Sequence, residues 1–356
     1  MSHTQTSLSP WQRFTRGLGL LPTLLEAVTS TASIVLGRLD FSSKFIRRTF
    51  LTRFQKSMVK SSVVETRDSL PTTGQTVRTY SRTQSLPLES VDLQVAGYPS
   101  AFLHFIDTSL SAGDDVLLYL HGGAYFFPLS SPALLQSMQT VAALSSRRLV
   151  VLEYTLCPAT KYPGQLAQCV AAMQYLLKTR KPAQLVVAGD SAGGNLMLGL
   201  LAHMQQPHPS IEALDIQTSD KLAAAICISA RTGIDATASS YDYNADKDIM
   251  GRHTMKAINE TWRPDRGHVW AVPVRGDQSF WRDVKVERML LLAGADEVYV
   301  DDVREFAELV GAGEAGSRMH LKICPGEIHD QWALDLGLGI EDGVMTTSLL
   351  EWAKTI

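Results

Sequence analysis

The chain has 356 residues, 45% of them hydrophobic and 19% charged, so it can bury a full-sized core and is neither a disordered nor a fibrous sequence. Its 33 Lys and Arg stand against 36 Asp and Glu, a net charge of −3 that supplies no overall basic field for nucleic acid. The four cysteines, Cys157, Cys169, Cys227 and Cys324, form no C-x-x-C pair and are too few for a disulfide framework or a structural zinc site, which points to reduced thiols in a cytoplasmic setting.

Residues 1–60 are charge-segregated: nine basic side chains, among them Arg13, Arg16, Arg38, Arg47 and Arg48, face two acidic ones. The remainder of the chain is therefore acidic. Apolar positions Leu18, Leu21, Leu24, Leu25 and Val28, and later Phe41, Phe45, Ile46, Phe50 and Phe54, recur at helical spacing and predict two or three amphipathic helices. Two uses fit such helices: a cap packed on the main domain, or an apolar, basic face resting on a membrane surface or lining a substrate entrance. Pro22 and Glu26 interrupt the most apolar stretch, 17–37, so no membrane span is expected there, and the segment fits a secretory signal poorly. Residues 1–84 are read as an N-terminal helical cap leading into a catalytic domain over 85–356.

From about residue 85 short apolar runs alternate with helical stretches, the pattern of a parallel sheet with crossover helices. The expected core strands are 116–120, 149–152, 185–188, 224–228, 289–293 and 320–324, with helices over 134–145, 165–179, 195–204 and 303–309 between them. Residues 231–275 break the rhythm with a polar and aromatic stretch too long for an ordinary connection, and read as an inserted cap.

Chemistry enters at two turns. His121-Gly122-Gly123-Ala124 follows the first core strand directly, and its glycines allow backbone N–H groups to approach a developing oxyanion. Gly189-Asp190-Ser191-Ala192-Gly193 lies between a predicted strand and a predicted helix. That is the G-x-S-x-G context in which a serine sits on a strained turn with its hydroxyl projecting, and only glycines two residues to either side avoid collision. The N–H groups of Gly122, Gly123 and Ala192 form the expected oxyanion hole. Such a serine needs a base and the base needs an orienting acid, in the chain order serine, acid, histidine. His329, on the loop after the last predicted strand, fits the base; Asp296 and Glu297, side by side after the preceding strand, are both candidates for the acid. No metal or cofactor is needed for this chemistry.

The motifs HGGAY and GDSAGGN, in this order and separation, resemble the hormone-sensitive-lipase family of α/β-hydrolases, particularly its fungal esterase and deacetylase-like members, over roughly residues 85–354. The segment VLEYTLCPATKYP, Ser240-Tyr241 with Asn244 and Asp248, and the E-V-x-x-D-D run from Glu297 resemble further family pieces. In the family pattern the last run registers Glu297, rather than Asp296, with the acid. The resemblance implies an α/β-hydrolase fold, a mostly parallel central sheet flanked by helices with a helical cap. It also implies a serine hydrolase that deacylates or deacetylates a hydrophobic small-molecule ester, for example as a tailoring step in fungal secondary metabolism. Thr155, Ala159 and Gln168 stand where many members carry Arg, Glu and Asp, which implies a simplified polar network behind the site. An acyltransferase or cyclase on the same triad is one alternative, and a non-catalytic binding protein of hydrolase fold is another. Aromatic residues in and beyond the inserted stretch, Tyr241, Tyr243, Trp262, Trp270, Phe280 and Trp281, fit either a hydrophobic substrate surface or that region's own core.

Overall fold

In the computed structural model, which describes residues 21–60, 67, 70–106 and 115–356, the sheet opens with two strands that the apolar pattern does not announce. These are β1 (Leu88–Leu93) and β2 (Ala101–Ile106), and β1 is mostly solvent-facing, so it carries no continuous apolar run. The six expected strands follow as β3 (Val116–Leu120), β4 (Arg148–Glu153), β5 (Leu185–Asp190), β6 (Ala224–Ile228), β7 (Met289–Gly294) and β8 (Met319–Cys324). Their spatial order is β1-β2-β4-β3-β5-β6-β7-β8. β2 runs antiparallel to β1 and β4, and β3 to β8 are all parallel.

Twelve α-helices stand among the described residues. In chain order they are α1 (Leu21–Arg38), α2 (Ser43–Lys60), α3 (Thr73–Thr83), α4 (Pro132–Leu144), α5 (Gly164–Leu177), α6 (Ser191–Gln205), α7 (Ser240–Tyr243), α8 (Arg252–Trp262), α9 (Gln278–Arg282), α10 (Val300–Leu309), α11 (Gln331–Gly337) and α12 (Val344–Ala353). Central strands buried on both faces must be apolar at every position, and alternate residues separate cleanly. Val116, Leu118 and Leu120 pack with α5 and α6, whereas Leu117 and Tyr119 pack with α3, α4 and α12 on the opposite face. The result is three layers, helix, sheet and helix.

The chain divides into two compact units, residues 1–65 and 66–356. The division falls before α3, earlier than the expected 84/85 boundary. The reason is that α3 buries Val77 and Tyr80 in the second helix layer of the larger unit, while the Gly74 N–H donates to Glu153 Oε1 at 2.9 Å. In the smaller unit α1 and α2 pack on each other, with Ser57 Oγ donating to Glu26 Oε2 at 2.5 Å. The expected positions Arg13, Arg16 and Leu18 lie outside the described residues. No described helix is long and apolar enough to cross a membrane, and all four cysteines are unpaired and buried.

Leu118 is fully buried at the centre of the sheet. Leu118→Ala should lower unfolding stability by about 2–5 kcal/mol, read from denaturant titration, because the surrounding strands cannot collapse into the void.

Candidate active site

Parallel strands end together, so the loops after β3, β5, β7 and β8 converge at one edge of the sheet, where open α/β sheets bind their ligands. Ser191 follows β5 with φ of 49°, a left-handed conformation that a non-glycine residue holds only under constraint. The flanking glycines supply that constraint. A Cβ on Gly189 would lie 2.4 Å from the Gly193 carbonyl oxygen, and one on Gly193 only 1.9 Å from that of Leu120. Ser191 Oγ lies 2.9 Å from Nε2 of His329, which sits on the loop after β8.

Glu297 and Asp296 part company. Glu297 is fully buried, with Oε2 3.9 Å from His329 Nδ1 and accepting from Ser229 Oγ at 2.7 Å. Asp296 instead turns outward and pairs with Lys247 Nζ at 2.8 Å, so it is removed as a candidate acid: adjacent side chains in a turn point different ways. At 3.9 Å the Glu297–His329 contact is not a closed hydrogen bond. His329 Nδ1 is buried without a partner, so the donor that the contact requires is available; Oε2, the nearer Glu297 oxygen, already accepts from Ser229, and Oε1 is buried without a partner. Burial pushes His329 down to about 3 and, aided by the nearby Asp248 charge, pushes Glu297 up to about 8. Both shifts disfavour charge in the resting site, and a neutral imidazole is the form that can take a proton from serine.

The oxyanion turn departs from expectation at one position. The Gly122 N–H donates to Asp190 Oδ1 at 2.9 Å, so it is already committed within the protein and is not an available oxyanion donor. Its glycine identity has another cause, since a Cβ there would meet Asp190 Oδ2 at 2.3 Å. The N–H groups of Gly123 and Ala192 donate to no acceptor among the described residues. Gly123 has φ of 102°, and Ala124 and Tyr125 continue in the left-handed region, which turns the loop back on itself. Tyr125 Oη donates to Asn195 Oδ1 at 2.7 Å and fastens this loop to α6. His121 lies beneath it, stacked on Tyr154 at 4.4 Å between ring centroids and pushed down to about 4 by burial.

The 231–275 stretch clamps the loops after β7 and β8. Asp248, fully buried, accepts from the N–H groups of Val298 at 2.7 Å, Ile249 at 2.7 Å and His329 at 3.2 Å. Asn244 Nδ2 donates to the carbonyls of Ala295 and Glu297 at 3.0 and 2.9 Å, and Ser240 Oγ to that of Val298 at 2.6 Å. The polar network behind the site is neutral: Gln168 Oε1 accepts from the Thr155 N–H at 2.8 Å and Nε2 donates to Thr155 Oγ1 at 2.7 Å. Of the six aromatic residues, Trp262 stacks on Tyr125 at 4.3 Å, and Tyr241 lies 6.1 Å from Tyr299, whose ring sits against His329. Trp281 is core against Phe306, and Tyr243 is 49% exposed.

Three site residues escape sequence reasoning. Ser229 Oγ bridges Glu297 and the Asp330 N–H, and Asp330 Oδ2 lies 3.3 Å from His329 Nε2. Arg231 lies buried with its N–H on the Ser191 carbonyl at 3.3 Å. Of these only Arg231 has a signal in the sequence, a charged residue three positions beyond an unbroken apolar strand.

This fold and this turn define the α/β-hydrolases, and residues 117–333, more than half of the chain, match the family model described as α/β hydrolase fold. The chain belongs to that family. Its relatives include several named as ester hydrolases. Steryl acetyl hydrolase 1 of Saccharomyces cerevisiae is 35% identical over 104 residues, covering 28% of this chain and 24% of the relative. Neutral cholesterol ester hydrolase 1 of Rattus norvegicus is 28% identical over 147 residues, 39% of this chain and 34% of the relative. The matched segments thus span well under half of these relatives. Carboxyl esterase 2 of Tuber melanosporum shares the fold at TM-score 0.63 and 18% identity, over 76% of this chain and 86% of that one. An esterase of the bacterial hormone-sensitive-lipase family does so at 0.60 and 22%, over 85% and 97%.

Asp248→Ala would strand three buried N–H donors at about 1–3 kcal/mol each. We expect a lower melting temperature and a fall in kcat with KM little changed, since the loops bearing Glu297 and His329 lose their common anchor. Steady-state kinetics beside thermal denaturation check both.

Proposed function

We propose that the chain is a serine carboxylic ester hydrolase acting on hydrophobic small-molecule esters, including acetyl esters. The observation that carries this reading is the 2.9 Å contact between Ser191 Oγ and His329 Nε2 at a left-handed strand-to-helix turn. Ser191 gives its proton to His329 and attacks the ester carbonyl, while Glu297 orients the ring. The tetrahedral oxyanion is received by the N–H groups of Gly123 and Ala192, fixed donors in a buried site. Collapse returns the proton from His329 to the leaving alcohol, and water activated by the same histidine releases the acid. The esterase names of the relatives support the reaction class, and the acetyl and cholesteryl esters in two of those names support an apolar substrate.

In the smaller unit Leu25, Leu36, Leu39 and Phe41 are each more than 60% exposed, in a segment whose sequence also carries Arg38, Arg47 and Arg48. This combination supports peripheral contact with an anionic membrane surface. Co-sedimentation with phosphatidylserine vesicles should exceed that with phosphatidylcholine vesicles and fall as salt rises; equal binding to both would remove the membrane reading.

The catalytic reading is tested on p-nitrophenyl esters from acetyl to decanoyl, with fluorophosphonate labelling of the serine. Ser191→Ala should lose turnover by about 10⁴-fold or more, and His329→Ala should lose nearly as much, with no further loss in the double variant, because the two act as a unit. Labelling of Ser191 without hydrolysis would move the reading to an acyltransferase or cyclase, and the absence of both to a binding protein.

A further inference from the structure

Arg231 is a cation without a counterion. It is 2% exposed, and its Nε and Nη1 are buried with no hydrogen-bond partner. Its other terminal nitrogen, Nη2, donates to the neutral Asn259 Oδ1 at 2.9 Å, and its guanidinium lies 4.9 Å from the centroid of the Trp262 ring. Among the described residues no carboxylate stands within ion-pair distance of it. A buried charge left in this state is costly, and a purely structural arginine would be expected to have an acidic neighbour.

Its surroundings place it at the reaction. The backbone of Arg231 is fixed on both sides of the nucleophile turn, its N–H on the Ser191 carbonyl at 3.3 Å and its carbonyl on Asn195 Nδ2 at 2.7 Å. Trp262 stacks on Tyr125 of the oxyanion turn. Tyr299, whose phenol interacts electrostatically with the guanidinium, sets its ring against His329 at 4.8 Å between centroids. Asn259, which accepts from the guanidinium, and Met255, which accepts from the Tyr299 hydroxyl, line a cavity of about 550 Å³. The guanidinium thus lies over Trp262, whose ring stacks on Tyr125 of the oxyanion turn, while Tyr299, which feels its charge, sits against His329.

We propose that Arg231 is a specificity-determining residue that pairs with a carboxylate on the substrate, so that the preferred esters are apolar molecules with one acidic end. This rests on the esterase reading and narrows its substrate class. The two unpartnered nitrogens donate to the carboxylate, and the tyrosines and Trp262 exclude water around the pair, which strengthens each charge-assisted bond. A neutral ester of the same shape would enter while leaving the arginine unpaired, which is how a site rejects a substrate lacking a polar group.

The test is a set of matched pairs, each an anionic ester and its neutral counterpart. Mono-p-nitrophenyl succinate, glutarate and adipate are set against their methyl diesters, and 4-acetoxybenzoate against its methyl ester. For at least one pair the wild type should show a KM about tenfold or more lower for the anionic member. In Arg231→Met the ratio of kcat/KM between anionic and neutral members should fall to about one, and Arg231→Lys should restore part of it. Should Arg231→Met fail to fold, Arg231→Lys and a binding readout on the wild type carry the test. Decanoate and 4-hydroxybenzoate should then raise the melting temperature and slow fluorophosphonate labelling of Ser191, whereas the matching amides should not. Hydrolysis of the neutral esters with no anionic preference and no carboxylate effect overturns the role of Arg231 and leaves the esterase reading standing. Loss of all hydrolysis and labelling overturns the esterase reading itself, and the thermal shift then decides whether Arg231 still binds carboxylates.

Discussion

The site depends on one close approach, the backbone of Gly193 lying against the carbonyl of Leu120 at the end of β3. No side chain fits between them, so the first turn of α6 docks directly on the neighbouring strand end. A single contact therefore places two catalytic parts at once, Ser191 on one side and the turn beginning at His121 on the other. A left-handed residue such as Ser191 costs of order 1–3 kcal/mol. Burial of α6 along nearly its whole length offsets that strain, because Ala192 through Met204 lie inside the larger unit.

A second constraint acts through buried carboxylates held by backbone N–H groups rather than by cations. Asp190 receives the Gly122 N–H together with the Tyr119 hydroxyl, and Asp248 receives three N–H groups from the loops after β7 and β8 and from its own turn. Burial pushes Asp190 up to about 6 and Asp248 up to about 7, against the pull of those hydrogen bonds. A long cationic side chain could move with its partner, whereas N–H donors are fixed by the chain. Positioning by backbone donors therefore transmits the geometry of the sheet to the catalytic side chains with little slack.

Much of this was legible in the sequence because the residues concerned have few ways to behave. Apolar runs such as Val116–Leu120 and Ala224–Ile228 can only be strands buried on both faces, and Gly189 and Gly193 around Ser191 can only serve a tight turn. β1 escaped because its outward face gives it no unbroken apolar run, and α3 was assigned to the wrong unit because its burial of Val77 and Tyr80 depends on distant partners. The choice between Asp296 and Glu297 is open to inspection of the turn alone; Lys247, nearly fifty residues away, draws off the first and leaves the second. Gly122 carried the right residue type for the wrong reason. Its missing Cβ admits the Asp190 carboxylate, an interaction between segments 68 positions apart that no local pattern announces.

Charge development during the proposed reaction suits the resting geometry. At rest His329 is neutral, with Nδ1 3.9 Å from Glu297. Transfer of the serine proton to Nε2 would make an imidazolium, whose charge favours the ionised form of the buried Glu297 and draws the Nδ1–H toward it, turning a loose contact into a charge-assisted hydrogen bond. The same step places the new Nε2 proton within 3.3 Å of Asp330 Oδ2, which burial and its acidic neighbours Asp190 and Glu297 push upward. In the proposed reaction the closest charge pairing would thus form only as charge appears, which would favour the charged intermediate over the ground state.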